Sequence, residues 1–123
     1  IQIEVLPVKY DDLKDKRIEE TSAAIKKRIE KARKIQRERY SSIGILTNSE
    51  LSTKGISKFC KVNKESEILL KNAFETLGLS VRAYNKILKV ARTIADLENS
   101  ENIETKHIAE AIRYRSLDRK YWR

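Results

Sequence analysis

Residues 78–97 constrain the fold more than any other run, because they mark where one helix stops, where the next starts and which side of it is buried. Ser80 stands where a helix N-cap belongs, its hydroxyl able to accept an orphan amide hydrogen of the first turn, and Gly78 suits the left-handed end of a preceding helix. Behind the cap, Tyr84, Ile87, Leu88, Ala91, Ile94 and Ala95 recur at spacings of three and four, one stripe of a 3.6-residue helix. Arg82 breaks a local rule. A cation in the first turn opposes the helix dipole by roughly 0.3–1 kcal/mol, so its position asks for an anion nearby.

The rest of the chain reads as helices around that one. Ile1, Ile3 and Val5 alternate with Gln2 and Glu4, the period of a strand, and Pro7 ends it; alone, such a strand has no sheet to join. Residues 9–20 are mostly polar and read as a linker. A first long helix is expected from 21 or 22 to about 40, with Ile25, Ile29, Ala32, Ile35 and Gln36 as a narrow inner stripe. Residues 41–47 form a loop in which Ile43, Ile45 and Leu46 are apolar enough to pack beneath it. One or two helical turns follow over 48–60, interrupted by Gly55, with Leu51, Ile56 and Phe59 inward. Asn63 caps a helix over 64–77 whose Ile68, Leu69, Leu70, Ala73, Phe74 and Leu77 cover over half its circumference, the pattern of a central helix. After a polar break at 98–102, a last helix over about 104–114 buries Ile108, Ala111 and Ile112.

The expected class is mainly α, a bundle of four to five helices preceded by one short strand, with residues 1–20 and 21–123 as two organisational units. Composition agrees, since three Gly, one Pro and 37% charged residues favour solvated helices over an all-β or disordered chain. The strand-like opening and the lack of Met at position 1 point to a piece of a longer protein. No apolar run approaches the ~20 residues of a membrane span, so a soluble, cytoplasmic protein without a membrane partner is expected. The single cysteine, Cys60, excludes an internal disulfide, and with the single His107 it offers no zinc ligand set. Cys60 reads as a partly buried small side chain and His107 as a helix-surface residue.

Leu79-Ser80-Val81-Arg82-Ala83-Tyr84, then Ile87-Leu88-Lys89-Val90-Ala91-Arg92-Thr93-Ile94-Ala95-Asp96-Leu97, and later Ala109-Glu110-Ala111-Ile112-Arg113-Tyr114-Arg115 closely resemble the C-terminal end of magnesium-chelatase-like AAA+ ATPases of the ComM type. The resemblance covers nearly the whole chain. It implies that residues 1–5 are the last strand of an ATPase core and the remainder its helical lid. It also implies that Arg82 is the sensor 2 residue contacting the ATP γ-phosphate, on its own nucleotide or on that of a neighbour in a ring. The parent protein would then use ATP and Mg²⁺, assemble with its own core and neighbouring subunits into a hexamer, and work as a DNA helicase or branch-migration motor during transformation and recombination. The family's phosphate loop and magnesium-binding acids have no counterpart in this sequence, so the chain alone is not expected to hydrolyse ATP.

Read from residues alone, a single arginine is a weak signal, and Arg82 reads first as a surface cation paired with an acid such as Glu75; the resemblance is what favours the sensor role. The net charge of +9 is concentrated: residues 22–40 carry Lys26, Lys27, Arg28, Lys31, Arg33, Lys34, Arg37 and Arg39 against Glu30 and Glu38. Such a face can follow a nucleic-acid backbone, or it can be a solvated helix surface with an ordinary pair such as Glu30 to Lys34. Residues 114–123 mix Tyr114, Leu117, Tyr121 and Trp122 with cations, a composition that suits base stacking or, preferably, packing as a docking tail. Two further readings remain open: a stand-alone basic helical module that binds nucleic acid without ATP, and a structural oligomerisation domain.

Overall fold

The expected caps form, and with them the helices. In the computed structural model, which describes residues 1–115, the chain is mainly helical, with α1 (Ser22–Arg39), α2 (Thr53–Phe59), α3 (Lys64–Leu77), α4 (Val81–Leu97) and α5 (Thr105–Arg113). The side chains of Thr21, Ser52, Asn63 and Ser80 accept from the backbone N–H of Ala24, Gly55, Ser66 and Ala83, each satisfying an otherwise orphan donor. Gly78 ends α3 in the left-handed conformation, at φ +57°.

The bundle is organised around α4, which packs against α1, α2, α5 and a 3-10 turn at Asn48–Glu50. Ala83, Ala91 and Ala95 are buried along it, and their small side chains let neighbours approach closely on more than one side. Ile87, Leu88 and Ile94 then meet Tyr40, Leu51, Ile56, Cys60, Leu70, Ile103, Ile108 and Ala111 in one core. Tyr40 is wholly buried, its ring edge-on to Phe59 at 5.1 Å between centroids.

Several expectations are corrected. α3 is not the central helix: it packs on α5, and Ile68 and Phe74 remain exposed while Leu70 is buried. Apolar content alone did not rank the helices, because centrality depends on having neighbours on several sides. In α1 the inner stripe is covered only at its C-terminal half, where Ala32 and Gln36 are buried; Ile25 and Ile29 are exposed. Gly55 does not interrupt α2 but lies within it, where an added Cβ would sit 2.8 Å from Leu51 Cδ2. Of the apolar loop residues, Ile45 packs on the core, whereas Ile43 and Leu46 are exposed.

Residues 1–5 form no strand. Every residue of 1–20 is exposed, with one 3-10 turn at Tyr10–Lys14, and the Gln2 N–H donates to the Tyr114 carbonyl at 3.2 Å. A strand needs a paired neighbour, and among the described residues the bridge of Val62 with Ile103 joins two other segments. Leu117, Tyr121 and Trp122 of the tail lie outside the described residues.

Candidate functional site

The Ser80 cap fixes the start of α4, and Arg82 follows two residues later in the first turn. Its side chain is exposed and makes no hydrogen bond or ion pair among the described residues. The pairing with Glu75 does not occur, since Glu75 meets Lys71 at 4.0 Å on α3. Val81 beside it is exposed, and Tyr84 one turn on stacks edge-on with Phe74. A planar guanidinium with five donors therefore stands free on a rigid helix start, suited to an oxyanion brought to it from outside.

The other end of α4 is built in the opposite way. Asp96 is buried, and both its oxygens are taken by the Arg39 fork from α1, with Arg39 Nη1 at 3.0 Å from Oδ2. Asn48 Nδ2 donates to Asp96 Oδ2 at 3.0 Å and to Thr93 Oγ1 at 2.9 Å, while Asn48 Oδ1 accepts from the Tyr40 hydroxyl. Gln36 Oε1 accepts the Asn48 backbone N–H at 3.0 Å, so α1, the 3-10 turn and α4 are tied by one network. Arg92 approaches Asp96 from the same helix, with Nε 3.3 Å from Oδ1 in an ion pair that lacks hydrogen-bond geometry. The Arg92 terminal nitrogens donate to the Glu101 and Ser100 carbonyls at 3.0 and 2.8 Å, fastening the loop that ends α4.

Burial opposes the charge on Arg39, but its hydrogen bonding to Asp96 and the aspartate's charge outweigh that and hold the guanidinium above its ordinary value. For Arg92 burial prevails and the value is lowered. Burial also pushes the Cys60 thiol up to about 11, and it raises the Tyr40 phenol.

Sequence reasoning placed Arg39 on the basic outer face; the structure draws it inward to Asp96. It missed Asp96 altogether, although the Arg92 to Asp96 spacing of four, set among buried Ala91, Ile94 and Ala95, was the available signal. His107 is not a surface residue but is completely buried: Nδ1 accepts the Glu104 backbone N–H at 2.9 Å. That places the ring proton on Nε2, which faces the Glu98 carboxylate at 3.0 Å. Glu98 also meets Lys106 at 2.6 Å, and those contacts lower its carboxyl below the usual range. Cys60 is buried rather than partly buried.

The basic candidates stay on α1 and do not converge with Arg82. Lys26, Lys27, Arg28, Lys31, Arg33, Lys34 and Arg37 are all exposed. Lys26 lies 3.9 Å from Glu30, replacing the expected Glu30 to Lys34 pair, and Arg28 binds Glu20. A groove of about 860 Å³ is lined by Ile87, Val90 and Ile94 of α4 and Ala111 of α5 together with Ile1 and Ile3 of the N-terminal segment and Arg28 of α1; Arg82 is not part of it. Among the described residues no group of three or more His, Cys, Asp or Glu side chains could hold a metal ion, and no helix is long and apolar enough to cross a membrane.

Residues 19–115 match the family described as the C-terminal region of the ChlI subunit of magnesium chelatase. Over 100 residues, 81% of this chain, the sequence is 46% identical to the competence protein ComM of Haemophilus influenzae and 41% identical to the uncharacterized protein YifB of Escherichia coli. The matched region is 19% of the length of each of those relatives. The helical bundle is consistent with this match over most of the chain: the chain belongs to the family of magnesium chelatase ChlI C-terminal domains and is of the ComM type.

Proposed function

We propose that this domain is the nucleotide-sensing lid of a magnesium-chelatase-like AAA+ ATPase that works as a helicase or branch-migration motor on DNA during transformation and recombination. One observation carries the reading: Arg82 is an exposed cation with no partner among the described residues, held at the start of the helix around which the bundle is built. The name of the Haemophilus relative, a competence protein, supports the setting. Bound ATP supplies the terminal phosphate whose presence or loss is to be sensed. Arg82 would hold oxygens of that phosphate through its fork, and Ser80 keeps the guanidinium's backbone in place by closing the first turn. The reading assigns the phosphate loop and the Mg²⁺ ligands to a core domain, expects a hexamer that encircles DNA, and puts the parent protein in the cytoplasm.

The test is Arg82→Ala and Arg82→Lys in the full-length protein, measured by DNA-stimulated ATP hydrolysis. Removing one preorganised charge donor from a reacting phosphate is expected to lower turnover by about 10²-fold or more, with lysine partly restoring it. Thermal unfolding should not fall in either variant, because the side chain has no partner among the described residues to lose, and Arg82→Ala should raise Tm by about 1–4 °C by removing a cation that opposes the helix dipole. Turnover within twofold of the parent would overturn the reading.

A further inference from the structure

The Arg82 site leaves the charge on α1 unexplained. Once Arg39 is drawn to Asp96, Arg28 to Glu20 and Lys26 to Glu30, the cations without an ion pair among the described residues are Lys27, Lys31, Arg33, Lys34 and Arg37. Lys27, Lys31 and Lys34 recur at i, i+4 and i+7, a stripe opposite the buried Ala32 and Gln36, and Arg37 continues it. At 1.5 Å per residue, those four charges span about 15 Å of one edge. The carrier is rigid at one end. Gln36 and Arg39 lock the C-terminal half of α1 into the Asn48 and Asp96 network, while residues 21–31 are exposed all round.

We propose that this outer face of α1 is a contact surface of the domain itself for the phosphate backbone of nucleic acid. The stripe is continuous, regularly spaced and mounted on a helix that is already folded, so little ordering opposes binding. A membrane surface suits it less well. An interfacial helix sinks a broad apolar face, opposite its cations, into the lipid, whereas on that side α1 exposes only Ile25 and Ile29 as large apolar residues, and Ala32 and Gln36 are already buried in the bundle. The inference is independent of the Arg82 reading, since Arg82 starts α4 and does not converge with the α1 stripe.

Fluorescence anisotropy of the 123-residue chain with labelled 30-nucleotide single-stranded and 30-base-pair duplex DNA tests it. With four phosphate contacts, duplex affinity should fall by about 150-fold between 50 and 200 mM NaCl. The triple variant K27Q/K31Q/K34Q should lose at least about 100-fold at 50 mM NaCl and most of the salt slope. A control with the same charge loss on other exposed lysines, K54Q/K61Q/K64Q, should stay within about threefold. Lysine and glutamine have similar helix propensity, and circular dichroism confirms the fold of each variant. Binding to either DNA in this pattern supports the surface. Absent binding at 50 mM NaCl, equal losses in the two triples, or equally tight binding to vesicles containing phosphatidylserine would each overturn it.

Discussion

Replacing Asp96 by alanine tests the central energetic claim, that the far end of α4 is held by a buried charge cluster. The Asp96 side chain is 0% exposed and receives both arms of the Arg39 fork, the Asn48 amide and the charge of Arg92. Its removal strands two guanidinium groups of unequal freedom. Arg39 is 18% exposed and can turn partly to water, whereas Arg92 is 5% exposed and keeps only its two carbonyl acceptors. Breaking a buried pair on one side costs about 3–5 kcal/mol, and the escape open to Arg39 places this case near 3–4 kcal/mol. For a chain of this size each kcal/mol lowers Tm by about 4 °C, so calorimetry should show a drop of about 12–16 °C. Arg39→Ala should cost less, about 2 kcal/mol, because Asp96 keeps Arg92 and Asn48. A double-mutant cycle in urea should then return a coupling of at least about 1 kcal/mol between the two residues. A Tm drop below about 4 °C for Asp96→Ala, or additive single effects, would refute the claim.

The helix joint before α4 should be sensitive at two positions. Ser80→Ala loses the bond to the Ala83 N–H, and Gly78→Ala forces a Cβ into φ +57°; each should cost about 1 kcal/mol, read as a shift in urea midpoint. Alkaline pH should destabilise the fold through Cys60. Its thiol is pushed up to about 11 from 9.0, so the unfolded chain ionises first. The stabilisation is complete below pH 9 and is lost as pH rises toward 11, by about 2 kcal/mol, with Tyr40 acting in the same direction. Unfolding at pH 8 and pH 10.5 measures this, and Cys60→Ala should flatten the difference. A thiol reagent at pH 8 should label Cys60 only as fast as the fold opens.

The helix boundaries were legible because they are written in local chemistry. Thr21, Asn63 and Ser80 cap with their own side chains, and Gly78 takes the one conformation that other residues avoid. Packing order was not legible, since it depends on which helices share neighbours. α3 carries the broader apolar surface, yet α4 is central because Ala91 and Ala95 leave room for helices on both sides. The alternation of Ile1, Ile3 and Val5 showed a pattern that needs a ladder to become a strand, and the described residues provide none at that segment. His107 was misjudged for a related reason: its role is to accept the Glu104 N–H, a demand set by backbone geometry three residues earlier.

Charge was the least legible property, because counting cations treats them alike while the fold sorts them by partner. Arg39 and Arg92 enter the interior because one carboxylate, Asp96, lies within reach of both and because the Glu101 and Ser100 carbonyls accept from the Arg92 terminal nitrogens. The outward side of α1 meets no such acceptor in the bundle, so its lysines stay in water whatever their number. Arg82 belongs with neither group. It sits on the central helix, as Arg92 does, but in the first turn, where the local backbone offers free N–H groups rather than carbonyls and so cannot neutralise a cation. That mismatch was visible in sequence from the Ser80 cap alone, and the structure leaves it uncompensated among the described residues. An anion supplied from outside the bundle would relieve it, so the same feature that weakens the isolated helix start is what equips it to register a phosphate.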